Sequence, residues 1–537
     1  MQKTLYNLVL LFFLGLFCIT CANKGTPQGG PKDETPPQII KSEPENYTTN
    51  FKGNEIKIYF DEYIKLKDVQ KQLIISPPLN TIPEIKPLGG ASKEITIKIF
   101  DTLQPNTTYA FNFGNSIEDN NEGNPFSYFR YVFSTGDYID SLTVSGSIVD
   151  ALKREPDTFV NVALYEVDST FNDSVIYKKP PKYITNTLDS LTTFTIENVK
   201  EGKYLLVALK DKNGDNKFQQ KTDKIAFHKN FITLPTDSLY TLKLFEEDID
   251  FKMIRPKLIS GEKLAFGFEG DYKNTQIDIL SEVPTDFESR ITKDKETDSL
   301  YYWYKPRLQR DSLNFKVTHF DFEAEYTARI SEQKRDTLTI TASPSGSIGY
   351  EEPLKIYGTT PFTSFDATKL TIMNKDSVFV NFNTEFDTIR NTYAFNFPKT
   401  EDNNYKVTIL PEAFMGFFGT TNDTTNISLR TKKASDFGYV RFNLVNAQYP
   451  LIIQLTDAKG DVKVEQFIKE GGKPIDFLNL DPGKYFVRVV FDANGNEKFD
   501  TGNYLKKLQP ERVSHFEISE DVRADWRLNE TLQFNPQ

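Results

Sequence analysis

Cysteine is almost missing from this chain of 537 residues: there are 2, Cys18 and Cys21. Beyond them no disulfide can form and no thiolate is available as nucleophile or metal ligand, so every later domain must be held by packing. Histidine is nearly as scarce. The 3 residues, His228, His319 and His515, are too few and too scattered for a zinc triad. Neither a Gly-x-Ser-x-Gly elbow nor a phosphate-cradling glycine loop occurs. With 75 Asp and Glu, a carboxylate pair of glycosidase spacing could be drawn anywhere and would mean nothing. The chain therefore reads as non-enzymatic. Positive charge is also in deficit: the net charge is −11 and the pI about 5.2, which argues against nucleic acid as a partner. After residue 21 no apolar run is long enough to span a bilayer.

What is present begins with the first stretch. Lys3 is followed by an apolar run from Leu8 to Ile19, shorter than the about 20 residues of a spanning helix and suited to the core of a secretory signal. The run ends in Cys18-Ile19-Thr20-Cys21, which resembles the lipobox of bacterial lipoproteins. That resemblance implies cleavage before Cys21, a diacylglyceryl group on its sulfur and fatty acylation (palmitate) of the mature start. Several acyl chains on one residue would anchor firmly. Bulky Phe17 makes Cys18 the poorer acceptor, and the bland alternative is an ordinary secretory signal with incidental cysteines. Residues 1–20 are thus assigned as signal peptide. Residues 21–37, rich in Gly and Pro without an apolar period, are assigned as a flexible tether.

From Gln38 the pattern is one of short strands. Glu55-Ile56-Lys57-Ile58-Tyr59-Phe60, Glu94 to Ile99 and Tyr109 to Phe113 alternate apolar and polar residues between Pro and Gly punctuation. An aromatic share of 13% favours the half-buried surface of a sheet, and no stretch carries a helical period. The spacing predicts β-sandwiches. The stretch from Thr35 through Phe60, with the run ending Val132-Phe133-Ser134-Thr135-Gly136, is similar to the bacterial Ig-like domain first described in S-layer proteins. The leader resembles that of Bacteroidota lipoproteins carrying such a domain. Further on, Thr193 to Val199 followed by Glu201-Gly202-Lys203-Tyr204 looks like a transthyretin-like or carboxypeptidase-regulatory-type sandwich. That module recurs: Asp211-Lys212-Asn213-Gly214-Asp215-Asn216-Lys217-Phe218 returns without a gap as Asp492-Ala493-Asn494-Gly495-Asn496-Glu497-Lys498-Phe499. The expected fold is all-β, with tandem Ig-like and transthyretin-like sandwiches in an elongated array. The assigned units are 38–138 Ig-like, 139–251 transthyretin-like, 252–340 a linking β-domain, 341–434 a second Ig-like candidate and 435–537 a second transthyretin-like sandwich. The fourth assignment leans on Leu354-Lys355-Ile356-Tyr357, an echo of Ile56-Lys57-Ile58-Tyr59.

Four groups of residues are candidate sites. Cys21 is the lipidation site. Asp211, Asn213 and Asp215 place oxygen-bearing side chains alternately along a tight turn, the first half of a calcium shell; Asp223 could stand in where an EF-hand has its bidentate Glu. Asp492, Asn494 and Asn496 form a poorer copy. An Asx-type turn joining two strands is the competing explanation for both loops. No cofactor is required in this reading, and a calcium ion would be structural. Tyr301, Tyr302, Trp303 and Tyr304 are a candidate binding platform for glycan or protein, although alternation along a strand puts two of the four into a core. Trp526 is expected in the core. Asp followed by Ser or Thr and an apolar residue recurs at Ser141, Ser238, Ser299, Ser312 and Thr337. This resembles a Bacteroidota O-glycosylation sequon and equally fits turns before strands.

The expectation is a non-enzymatic outer-membrane lipoprotein that binds or scaffolds protein partners in the cell envelope, as a subunit of an assembly or secretion complex. The alternative is a calcium-dependent glycan-binding surface protein.

Overall fold

A computed structural model describes residues 33–189 and 192–535 of the chain. Cys21, the leader and most of the tether lie outside the described residues. The chain is all-β, 47% strand and 3% helix. Among the described residues the two α-helices, Val69–Gln72 and Val175–Lys178, are single turns. No described helix is long and apolar enough to cross a membrane. The strands build a tandem array of sandwiches with separate cores along the chain. The first is centred on Ile56, Ile58, Phe111 and Phe133, and the second on Val162, Leu206 and Leu242. Phe266, Tyr302 and Phe315 centre the third, Ile356, Phe395 and Val407 the fourth, and Val440, Val487 and Phe477 the fifth.

The second and fifth units share one topology. In the second, Asn161–Glu166 and Gly202–Lys210 pair at the centre of one sheet, flanked by Tyr183–Asn186 and Lys224–Phe227; Thr193–Val199, Leu142–Asp150 and Leu239–Leu244 make the other. The fifth repeats the order with Val462–Ile468, Leu451–Thr456, Phe486–Phe491 and Val513–Glu517 against Ile475–Leu480, Gly438–Val445 and Arg527–Gln533. In both, the last strand joins the first in parallel. The first and fourth units also correspond. Ile39–Glu43, Glu55–Leu66, Ser92–Lys98 and Glu84–Lys86 lie in the same order as Ile340–Ser343, Leu354–Gly358, Thr392–Asn396 and Asn383–Asp387. Each closes its second sheet with a short parallel contact, Thr48 to Phe133 in one and Gly346 to Leu429 in the other.

Neighbouring units are fastened by specific contacts. Arg130 of the first pairs with Glu197 and donates to Asn198 Oδ1 of the second, and Ser76 Oγ accepts from the Ile184 N–H at 3.1 Å. Lys221 of the second meets Glu269 of the third at 2.5 Å. Tyr350 of the fourth packs edge-on to Phe437 of the fifth at 5.9 Å. One contact is between units far apart in sequence. The strand Gly202–Lys210 buries Tyr204, Leu206 and Ala208 in one core and Leu205, Val207 and Leu209 in another on its opposite face. That second face is covered by Phe218, Phe227 and Phe245 together with Tyr504 and Phe499 of the fifth unit. Lys507 Nζ lies 2.6 Å from Asp173, and Gln509 Nε2 donates to the Phe227 carbonyl at 3.0 Å. Gly502 sits so close that a Cβ there would come within 2.5 Å of Phe245 Cζ, which leaves no room for any other residue.

Tyr504 is 0% exposed and its ring meets Phe227 edge-on at 5.4 Å. Tyr504→Ala is expected to cost about 3 kcal/mol in denaturant unfolding, because an aromatic is deleted from a filled site. Tyr504→Phe should stay within about 1 kcal/mol, since its hydroxyl reaches only Asp173 at 3.4 Å.

Candidate functional site

The aromatic run lies on Ser299–Lys305, paired between Lys263–Glu269 and Glu288–Lys293 in the third unit. Strand alternation divides it. Tyr302 and Tyr304 point into the third core, 2% exposed each, and are not available to a ligand. Tyr301 and Trp303 point outward, toward the fourth unit, where Lys263 opposite Trp303 and Thr292 opposite Tyr301 share their face. Trp303 is nevertheless covered. Its indole N–H donates to Thr292 Oγ1 at 2.9 Å, its ring lies 6.1 Å from Phe418, and Lys263 Nζ sits 4.6 Å above it. The same ammonium is 4.1 Å from the Tyr301 ring and 3.3 Å from Asp336. Burial, with the Asp294 carboxylate beside it, pushes the Tyr301 hydroxyl up to about 12, so it stays a proton donor.

The hairpin tip that covers this face was not singled out from sequence. Phe417 lies under Lys305 and Arg290, at 4.8 and 5.8 Å, and Phe418 under Arg335 at 5.1 Å. Paired phenylalanines next to Gly416 and Gly419 were the available signal. Glu262, 1% exposed, holds the stretch between the two units by accepting from Arg307 Nε and Arg335 Nε, both at 2.5 Å. Beside this seam opens a cleft of about 720 Å³, walled by Tyr301 and Trp303 from one unit and Tyr357, Thr359 and Arg390 from the other.

The Asp/Asn loops are closed on themselves. Asp211 accepts from the N–H groups of Asn213, Gly214 and Asn216 at 2.7–2.9 Å, and burial pushes its carboxyl up against those donors. Asp223 accepts from the N–H groups of Lys212 and Gln219, while Asp215 accepts from that of Lys217. In the fifth unit Asp492 caps Gly495, Asn496 and Glu497 in the same way. Asn494 and Asn496 turn their amides onto Asp500, and Glu511 takes the place of Asp223 by accepting from Ala493 and Asp500. This hydrogen bonding is that of Asx turns. Among the described residues no group of three or more His, Cys, Asp and Glu side chains could hold a metal ion. The second loop runs longer before its closing carboxylate, and the extra residues carry Tyr504, Lys507 and Gln509, which dock on the second unit.

Trp526 is not in the core: it is 44% exposed, at the turn before Arg527–Gln533, with Arg523 stacked at 4.6 Å. Of the Asp-Ser/Thr positions, Ser141, Ser238 and Thr337 are exposed, whereas Ser299 and Ser312 are half-buried in strands.

Residues 33–135 match the bacterial Ig-like domain family. Among solved structures the chain aligns with surface layer protein SbsC, domains 1–6, at 11% identity over 91% of this chain and 67% of that one, TM-score 0.18. It aligns with the I-band fragment I67–I69 of titin at 11% identity over 52% and 98%, TM-score 0.12. A mixed-linkage glucan utilization locus protein of Bacteroides ovatus, SGBP-B, in complex with a heptasaccharide, aligns at 10% identity over 71% and 91%, TM-score 0.18. No curated protein matches the sequence.

The chain has 2 tryptophans. Acrylamide quenching is therefore expected to resolve two populations, a shielded Trp303 and an accessible Trp526. Trp303→Phe should remove only the shielded one.

Proposed function

We propose that the chain is a non-enzymatic outer-membrane lipoprotein, held by acylated Cys21, whose β-sandwiches bind or scaffold protein partners in the cell envelope as part of an assembly or secretion complex. The observation that carries this reading is the way the units are joined. Aromatic and charged contacts between units, including the docking of Tyr504 on the second unit, favour a preset arrangement of surfaces over loosely linked beads. A preset arrangement lowers the ordering cost of engaging a large partner. The lipobox-like Cys18-Ile19-Thr20-Cys21 and the Gly/Pro tether support a body held near a lipid surface.

Cys21→Ser is expected to move the protein from the membrane to the soluble fraction, and the native N-terminal peptide should carry the mass of a diacylglyceryl group. Retention at the membrane with an unmodified peptide would remove the anchor. Affinity purification from detergent-solubilised membranes should recover stoichiometric partners.

A glycan-binding surface role is the second reading, favoured by the cleft beside Tyr301. In it, calcium at Asp211, Asn213 and Asp215 is structural. Chelation should then lower the thermal midpoint of the second unit by several degrees, and an unchanged midpoint takes calcium out of the reading.

A further inference from the structure

The cleft between the third and fourth units runs against the charge of the molecule. The chain carries −11 overall, yet this cavity is lined by Lys263, Lys293, Lys295, Lys334, Arg335 and Arg390 against only Asp294 and Asp336. Part of that charge is already spent within the protein. Lys263 is paired with Asp336, Arg335 with Glu262, and Lys293 donates to the carbonyls of Asp294 and Thr297. Lys295 and Lys334 are exposed and make no ion pair among the described residues, and Arg390 is 70% exposed with Asp387 no nearer than 3.9 Å. Concentrating unneutralised cations in a concave, half-walled site raises the local potential for an anion.

The remaining lining says which anion. Thr337, Thr339, Thr341 and Thr359 present hydroxyls, Tyr301 and Tyr357 add phenols with their rings beneath Lys263 and Lys295 at 4.1 and 4.5 Å, and no aliphatic side chain takes part. A docked peptide draws most of its affinity from apolar side chains sealed into dry pockets, whereas this cleft is open and lined by cations and hydroxyls. A polyol bearing acid groups needs hydroxyl partners and cations, both of which are here. At about 720 Å³ the volume lies within the range of small-ligand sites.

We propose that this cleft binds an anionic glycan, a short run of uronic-acid or sulfated sugars, with Lys295, Lys334 and Arg390 meeting its acid groups. The inference rests on the glycan-binding reading and names its ligand class, and it is independent of the lipid anchor and of the envelope partners.

Calorimetry of the full chain in detergent tests it with a galacturonic acid oligomer, a heparin-derived oligosaccharide, a neutral glucan oligomer and polyglutamate. One or both acidic sugars should bind, and which of them does identifies the acid group. Affinity should fall as salt rises, because the contacts are exposed charges. Lys295→Gln combined with Lys334→Gln should weaken binding about tenfold or more while the unfolding midpoint stays unchanged. Absence of heat from both acidic sugars, equal binding by the double variant, equal binding of the neutral glucan, or tighter binding of polyglutamate would each overturn it, the last by giving the cleft to acidic peptides.

Discussion

The strand Gly202–Lys210 is buried on both faces, and the arrangement of the second and fifth units follows from that. A sandwich strand ordinarily spends one face on its own core and leaves the other to water. Here Leu205, Val207 and Leu209 instead build a second, smaller core on the outer face. Part of the cover is local, from Phe218, Phe227 and Phe245, and the rest comes from Tyr504 and Phe499 nearly three hundred residues later. Burial of apolar side chains is worth about 1.5–3 kcal/mol each, whereas exposed ion pairs around the rim add little. The ring of Tyr504 thus matters more to the docking than Lys507 and Asp173 do.

The two related modules solve the same problem differently. In the fifth unit the strand Phe486–Phe491 buries Val487, Val489 and Phe491 in its core, but its other face holds Arg488. That guanidinium donates to Gln454 at 2.6 Å and to the Leu152 carbonyl of the second unit at 3.2 Å. Burial drives its pKa down, so the hydrogen bonds are what keep the charge tolerable there. An apolar back on one copy and a hydrogen-bonded cation on the other let unlike faces meet, and the longer loop of the fifth unit supplies the aromatic plug. With no cysteine after Cys21, such contacts are the only fastening on offer.

Much of this was legible from residue pattern. All-β architecture follows from short alternating runs without a helical period, and the bacterial Ig-like match falls on the stretch whose strand residues carry the resemblance. The unbroken apolar run Tyr204 to Leu209 is a signal, not drawn on in advance, that this strand has no wet face. What covers that face was not legible, because Tyr504 stands in a Gly/Asn/Lys loop with no local pattern. Alternation predicted that two of the four aromatics at 301–304 would enter a core, and it correctly divides Tyr302 and Tyr304 from Tyr301 and Trp303. It could not foresee that Trp303 would be sealed beneath Phe418, since that part of the lid comes from another unit. Trp526 failed for a complementary reason: a large aromatic one residue ahead of a strand can be shielded by a neighbouring guanidinium and never reach the interior.

The seam between the third and fourth units joins these strands of reasoning. Its floor is a sheet face that alternation makes aromatic, its clasp is Glu262 between two arginines, and its open side keeps lysines that the clasp leaves unpaired. Because the walls belong to different units, anything bound between them bridges two units. Binding there and stiffness of the array are then linked quantities, each favouring the other by the same free energy. A body built only from sandwiches has few cavities of its own. The joints between its units are where such a molecule acquires concave, charged surface.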